Sequence, residues 1–289
     1  VALTGVENLT INVTDTAGGT VTVNNIPTDV ASLAVNGVNS AVAATITAAG
    51  QTISTNNSTI GGNASTITFA SVTSQTGTTG SANDTFDTIA VDGITANGGA
   101  GDDTFNITAV AAIDNDAKML TIVGGTGTDN ITLAAASTGA WDLSDTTDVS
   151  ISGVETLNLG AVGAAMNLTM GANTFTTITG TSAASKNIQV NLTAAQLDAL
   201  ATLTLVSTGG SSAGTVKLVT TATDATAAVT VDLSDLTFTT LANSAGSGDL
   251  IDFGVHTGVV TVTADQNFLV EGGASTTADV LNYTATGAG

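Results

Sequence analysis

The segment Gly98-Gly99-Ala100-Gly101-Asp102-Asp103-Thr104-Phe105-Asn106 constrains this chain most. It fits the pattern G-G-x-G-x-D-x-U-x at every fixed position, with Phe105 as the large apolar residue U. The pattern returns as Gly124-Gly125-Thr126-Gly127-Thr128-Asp129-Asn130-Ile131-Thr132, with Ile131 in that place. The glycines let the backbone turn tightly with carbonyl oxygens pointing inward. The Asp adds a carboxylate, and the apolar residue starts a short strand that packs into a core. Carbonyls joined to carboxylates suit a hard cation such as Ca²⁺. The expected ligands are Asp103 and Asp129, helped by carbonyls near Gly99, Gly101, Gly125 and Gly127. Ser81-Ala82-Asn83-Asp84-Thr85-Phe86 is a degenerate copy and adds Asp84 as a candidate.

These stretches resemble the haemolysin-type calcium-binding repeat of RTX proteins. The resemblance is specific over the two full matches and weak elsewhere. It implies a parallel β-roll in which two nonapeptides make one turn, roughly 18 residues. Asp84 and Asp103 are 19 residues apart, and Asp103 and Asp129 are 26 apart. The resemblance therefore puts Asp84 and Asp103 one coil apart on the same edge. Asp129 falls on the next coil if Ala111 to Asp116 bulges out as a loop. Each calcium would be shared by adjacent coils. The repeats are not contiguous, so one to a few ions are expected rather than a long ladder. Gly-Gly and Asp-Asn pairs are also ordinary turn formers. Asp249 and Asp279 are further candidates, while Asp15, Asp29, Asp224 and Asp235 read as solvated turn residues.

Short alternating segments run through the chain: 9–13, 20–23, 65–69, 119–123, 187–192, 216–219, 229–233 and 259–262. Their period is two, and Gly, Asn or Asp separates them. One helix is predicted at Thr193 to Leu200, where Thr193 and Gln196 suit a capping box. Pro27, the only proline, marks a turn or a sheet edge. Short strands of this kind bury a core by stacking, so the expected fold is all-β, a parallel β-solenoid or β-roll. The alternative is a pair of β-sandwich domains.

Gly5-Val6-Glu7-Asn8-Leu9 returns as Gly153-Val154-Glu155-Thr156-Leu157, 148 residues on. Gly124-Gly125 returns as Gly272-Gly273, also 148 residues on, with Asp129 answered by Asp279. Two tandem modules follow, roughly 1–148 and 149–289. The second Gly-Gly turn, 272–279, has lost the third glycine and gained residues, which weakens it as a calcium loop.

The chain has 24 acids against three Lys (Lys118, Lys186, Lys217) and no Arg, for a net charge of −21. That balance argues against nucleic acid and anionic membrane surfaces, which need basic patches. Only three of the acids are Glu, and Asp favours turns over helices. No run of 18 or more apolar residues predicts a transmembrane segment. There is no Cys for disulfides or metal, and His256 is the only histidine. His256 reads as a surface loop residue. Trp141 and Tyr283 read as local packing anchors. So few basic and imidazole partners leave little for acid–base or oxyanion chemistry, and no enzyme is expected. The Asn-x-Ser/Thr sequons, among them Asn8, Asn12, Asn63, Asn106, Asn130, Asn167 and Asn191, follow from a Thr-rich composition. Thr-x-Thr pairs such as Thr20/Thr22, Thr45/Thr47, Thr66/Thr68 and Thr261/Thr263 are what an ice-binding face would use. They show no fixed period along the chain, so β-propensity accounts for them.

In function the chain looks like surface-layer and surface-fibre relatives of RTX proteins, with G-V-E-x-L segments, Thr-rich strands and sparse G-G-x-G-x-D turns. That resemblance implies a secreted structural protein of the bacterial cell surface. It would self-assemble head to tail into a layer or filament, stiffened by calcium. Its partners would be copies of itself and cell-surface polysaccharide. The competing expectation is a monomeric, calcium-dependent RTX-type adhesin. The chain begins abruptly at a strand and has no initiator Met, so it reads as processed or excised from something longer. Neither terminus carries an evident cap, and an uncapped stack offers its end to another copy.

Overall fold

The structure is a computed structural model. It describes residues 5–13, 19–24, 26–37, 41–48, 50–57, 64–70, 74–109, 113, 119–133, 139–162, 166–182, 188–207, 216–221, 226–234, 237–238, 250–254, 256–264, 270–271 and 279–283. The expected turn at 272–278, Asp249, Asp15, Asp224, Asp235, Asn63, Lys118 and Lys186 lie outside the described residues, as do the side chains of Lys217 and Tyr283. The chain divides into two compact units, 1–134 with 145–158, and 135–144 with 159–289.

Strands β1 (Asn8–Val13), β2 (Thr20–Val23), β3 (Ser32–Gly37), β4 (Ala41–Ile46), β5 (Thr52–Asn57) and β6 (Thr66–Phe69) open the first unit. They are followed by β7 (Gln75–Thr78), β8 (Thr85–Ile89), β9 (Ile94–Ala100), β10 (Thr104–Ile107), β11 (Leu120–Thr126) and β12 (Asn130–Leu133). β13 (Gly139–Asp142) belongs to the second unit; β14 (Val149–Ser152) and the start of β15 (Thr156–Val162) return to the first. One sheet runs β1-β3-β5-β7-β9-β11-β14, and the other β2-β4-β6-β8-β10-β12-β15. Consecutive strands therefore alternate between two parallel sheets, which is a parallel β-solenoid. Parallel pairing leaves no room for a tight hairpin, so each coil closes through a loop before the chain returns one strand higher.

The sequence explains the pairing. Alternation places Ile53, Ile67, Phe69, Phe86, Ala96, Phe105, Ile122 and Ile131 inside, each no more than 1 % exposed. Phe69, Phe86 and Phe105 stack up one sheet, with ring centroids 6.3 and 5.0 Å apart and planes within 16° and 5° of parallel. Gly77 faces that stack from the other sheet, where an added Cβ would lie 3.1 Å from both the Phe69 and Phe86 rings. A small residue opposite large rings lets the two layers close.

The steps between coils are uneven. Thr66 to Thr85 and Thr85 to Thr104 are 19 residues each, whereas Thr104 to Asn130 and Asn130 to Thr156 are 26 each. Register is kept nonetheless. Ser32, Thr52, Thr76, Thr95, Thr121 and Ser150 form one outward column. The threonines thus have a coil-to-coil period in space that the chain spacing hides, because loops absorb the difference. The G-V-E repeat also differs in three dimensions. Gly5 and Gly153 share positive φ (70° and 61°), yet Glu7 leads into β1 of one sheet and Glu155 into β15 of the other.

In the second unit, β16 (Met166–Thr169), β17 (Thr177–Ser182), β18 (Ile188–Thr193), β19 (Thr202–Ser207), β20 (Val216–Thr221) and β21 (Val229–Asp232) precede β22 (Thr237–Phe238). β23 (Leu250–Asp252), β24 (Val260–Ala264), β25 (Val270–Glu271) and β26 (Val280–Tyr283) complete it. These strands make three parallel arrays, β13-β16-β18-β20-β23-β25, β17-β19-β22 and β21-β24-β26. Trp141 is fully buried in β13, in register with Leu168 and Val190. The predicted helix is α1 (Ala194–Asp198), and Thr193 and Gln196 form the expected capping box. Gln196 Nε2 also donates to the carbonyls of Gly171 and Asn173, tying α1 to the preceding coil. Pro27 sits in a turn closed by the Val30 N–H to its carbonyl.

The phenylalanine stack carries a test. Phe86→Ala should cost about 3–5 kcal/mol in urea unfolding, the usual range for a buried phenylalanine. Phe86→Leu keeps most of the volume and should cost clearly less.

Candidate metal centre

The G-G-x-G-x-D segments are not plain turns. Gly98 and Gly99 lie within β9, and Gly124 and Gly125 within β11, with Gly99 paired to Gly125. Gly99 and Gly125 have φ of 91° and 116°, and Gly101 and Gly127 of 111° and 143°. That left-handed backbone is open to glycine and strained for other residues. It ends each strand and turns the chain into the loop that delivers the Asp.

Register then stacks the acids. Thr85, Thr104, Asn130 and Thr156 are neighbours on adjacent strands, so the residues before them, Asp84, Asp103, Asp129 and Glu155, form one column. Each acid accepts a hydrogen bond from the backbone N–H one coil earlier. Ser65 N–H donates to Asp84 Oδ1 (2.5 Å), Asp84 N–H to Asp103 Oδ1 (2.7 Å), Asp103 N–H to Asp129 Oδ1 (2.7 Å) and Asp129 N–H to Glu155 Oε2 (2.8 Å). A second, exposed row runs beside it, from Asp102 N–H to Asn83 Oδ1 and from Thr128 N–H to Asp102 Oδ1.

Asp103 is 1 % exposed and Asp129 0 %, and the second carboxylate oxygen of each has no hydrogen-bond partner. Those oxygens point at glycines. A Cβ on Gly98 would overlap Asp103 Oδ2 and sit 2.8 Å from the Gly124 carbonyl oxygen. A Cβ on Gly124 would overlap the Gly153 carbonyl oxygen and sit 2.5 Å from Asp129 Oδ2. The first glycine of each motif is therefore needed for space, beside a carboxylate oxygen of its own coil and a carbonyl oxygen of the next. Two acceptors facing one spot suit a cation and repel each other without one. Gly99, Gly101, Gly125 and Gly127 stack coil on coil, with the Gly99 carbonyl against Gly125 and the Gly101 carbonyl against Gly127.

Asp84 stands in the same column with a different neighbour. Thr79 takes the place of the first glycine, and its hydroxyl donates to the Gly98 carbonyl (2.7 Å). Burial raises the Asp84 carboxyl against the lowering effect of the Ser65 N–H, and Asp84 Oδ2, like the Oδ2 of Asp103 and Asp129, has no hydrogen-bond partner. Asp279 is exposed and accepts from the Val260 N–H (3.0 Å). Among the described residues no three Asp, Glu or His side chains converge on one point, so carbonyls must make up the rest of any coordination shell.

Burial pushes the Asp103 carboxyl up to about 7, with the charges of Asp84, Asp129 and Asp102 adding to the rise. Burial also raises Asp129, with the Glu155 and Asp102 charges in the same direction.

Three participants escaped the sequence reading: Ser65, Thr79 and Glu155. The signal for Glu155 was its spacing, since it follows Asp129 by 26 residues, as Asp129 follows Asp103. The expectation for His256 is corrected. His256 is 2 % exposed, packs beside Phe253 with ring centroids 6.1 Å apart, and neither ring nitrogen has a partner. Burial lowers its pKa. A turn closed by the His256 N–H to the Phe253 carbonyl folds it inward, which its loop-like sequence context conceals.

Compared with protein families, characterised proteins and solved structures, this chain matches none. Among the described residues no helix is long and apolar enough to cross a membrane.

The raised carboxyl predicts a pH effect. An unfolded Asp titrates near 3.9, and the folded Asp103 near 7, so between those values the folded state holds more protons. Metal-free stability should then fall as pH rises from about 4 to 7. Urea unfolding in chelator should show a more stable protein at pH 5 than at pH 7, and Asp103→Asn should flatten that difference. A wild type whose advantage over Asp103→Asn grows with pH in chelator contradicts the buried-carboxylate assignment.

Proposed function

We propose that this chain is a structural protein of the extracellular cell surface that assembles with copies of itself and is rigidified by calcium. One observation carries the reading: buried carboxylate oxygens of Asp103 and Asp129, without hydrogen-bond partners, aimed at carbonyl oxygens of the next coil. Asp103, Asp129 and carbonyls around Gly99, Gly101, Gly125 and Gly127 would hold the ion, with Asp84 beside them in the column. Bound Ca²⁺ supplies the positive charge that a chain with three Lys and no Arg lacks. Extracellular calcium is abundant enough for weak, carbonyl-rich sites. The RTX-like motifs support the same surface role, with cell-surface polysaccharide as a second partner.

Self-assembly draws on the first coil. Among the described residues β1 and β2 stand last in their sheets, and Leu9, Ile11, Val13, Val21 and Val23 are only half-buried there. Leu33, Val35, Val42 and Ala44 on the next strands are buried. A strand at the edge of a sheet is a surface that a strand of another copy can pair with. A head-to-tail contact whose rotation does not close into a ring yields filaments or sheets.

The test pairs calorimetry with light scattering. Calcium should raise Tm, by the equivalent of about 2.7 kcal/mol at 100 times Kd. Asp103→Asn should lose most of that gain while staying at least as stable as wild type in chelator at pH 7. Ile11→Lys should abolish assembly in calcium without lowering the calcium-dependent gain. A Tm indifferent to calcium overturns the metal reading. A calcium-binding protein that stays monomeric at high concentration overturns assembly in favour of an adhesin.

A further inference from the structure

We propose that the Gly153-Val154-Glu155 segment is the closing coil of the cation ladder: its Gly153 carbonyl completes a second cation position with Asp129, and Glu155 caps the carboxylate column. This rests on the calcium reading above and adds a position made by a segment that is not a G-G-x-G-x-D repeat.

Three equivalent places along the column can be compared. In each, a residue of one coil sits beside an acid of the same coil and a carbonyl of the next. At the first, Thr79 sits beside Asp84 and the Gly98 carbonyl, and its hydroxyl donates to that carbonyl (2.7 Å). The protein's own hydroxyl thus takes the carbonyl at this place, while Asp84 Oδ2 has no hydrogen-bond partner. At the second, Gly98 sits beside Asp103 Oδ2 and the Gly124 carbonyl. At the third, Gly124 sits beside Asp129 Oδ2 and the Gly153 carbonyl. The second and third have the same donor set, although only the second is built from two full motifs.

Gly153 fits this part by conformation. Its φ of 61° is left-handed, and it lies against Gly125, where a Cβ would be 2.9 Å from the Gly125 nitrogen. Glu155 then repeats the role of Asp129 and Asp103. Its Oε2 accepts the Asp129 N–H (2.8 Å), and its backbone N–H donates to the Asp129 carbonyl (3.2 Å). Asp129 itself is fully buried with Oδ2 unpartnered and aimed at this place, which independently points to a ligand. The longer Glu side chain reaches the rung that Asp reaches in the nonapeptides. The ladder accordingly holds two cations, bounded on one side by Thr79 and on the other by Glu155.

The test counts ions on the full chain by calcium titration calorimetry, with terbium luminescence as a second readout. Glu155→Gln keeps an oxygen to accept the Asp129 N–H and removes the charge. It should weaken one binding step at least tenfold and leave the Asp103 step intact. Asp129→Asn should abolish the same step. Thr79→Gly should add one binding step, by exposing Asp84 and the Gly98 carbonyl to an ion. Circular dichroism in chelator confirms that each variant folds. A wild type that binds no calcium defeats the metal reading itself. A wild type that binds calcium, with both steps unchanged in Glu155→Gln, defeats only the closing-coil assignment.

Discussion

The carboxylate edge of the first unit is set by one interaction, the hydrogen bond from a backbone N–H to the carboxylate one coil further on. Parallel strands lie about 4.8 Å apart, so a residue that recurs in register recurs at that spacing. A column of Asp is therefore a column of like charges. At about 5 Å and an effective dielectric near 20, neighbouring charges repel by roughly 3 kcal/mol. A charge-assisted hydrogen bond returns about 1.5–3 kcal/mol. The two nearly cancel, so the N–H bonds position the column without stabilising it much. A divalent cation beside the second oxygens tips that balance, and a proton tips it more weakly. A proton and a bound cation would therefore act on the same rungs.

The two flanks of the coil divide the work. On the core side, register brings Phe86 and Phe105 to the same height, and Phe69, two residues beyond the register partner Ile67, extends their stack. Burial of such rings is worth several kcal/mol each and is indifferent to pH and salt. On the edge side, Gly98, Gly99, Gly101 and their counterparts give up side chains so that carbonyls and carboxylates approach closely. The apolar stack holds the coils together, and the polar edge gathers carboxylates and carbonyls where a cation would bridge adjacent coils. Thr79 is the intermediate case, where a hydroxyl satisfies the carbonyl from within the chain and leaves Asp84 Oδ2 without a partner.

Much was legible in the chain itself. The period-two segments, the all-β parallel fold and the capping box at Thr193 and Gln196 follow from local chemistry, and the resemblance to RTX repeats put Asp84 one coil from Asp103. The 19-residue step from Asp84 to Asp103 is short enough to read as one coil. The 26-residue step to Asp129 needed an assumed loop around 111–116, and of that loop only Ile113 is described, as a buried residue.

Side-chain type and near-neighbour spacing already mark the candidate carboxylates and the residues that alternate into a core. What stands beside what emerges when the coils stack. Glu155 joins the Asp column, Thr79 occupies the place of a glycine, the outward threonines align, and His256 turns inward. Each of these rests on contacts between residues 19 or more apart, or on a loop folding back. Parallel pairing fixes register between strands while leaving loop length free. Chain spacing therefore cannot reveal which residues share a rung until the coils are stacked.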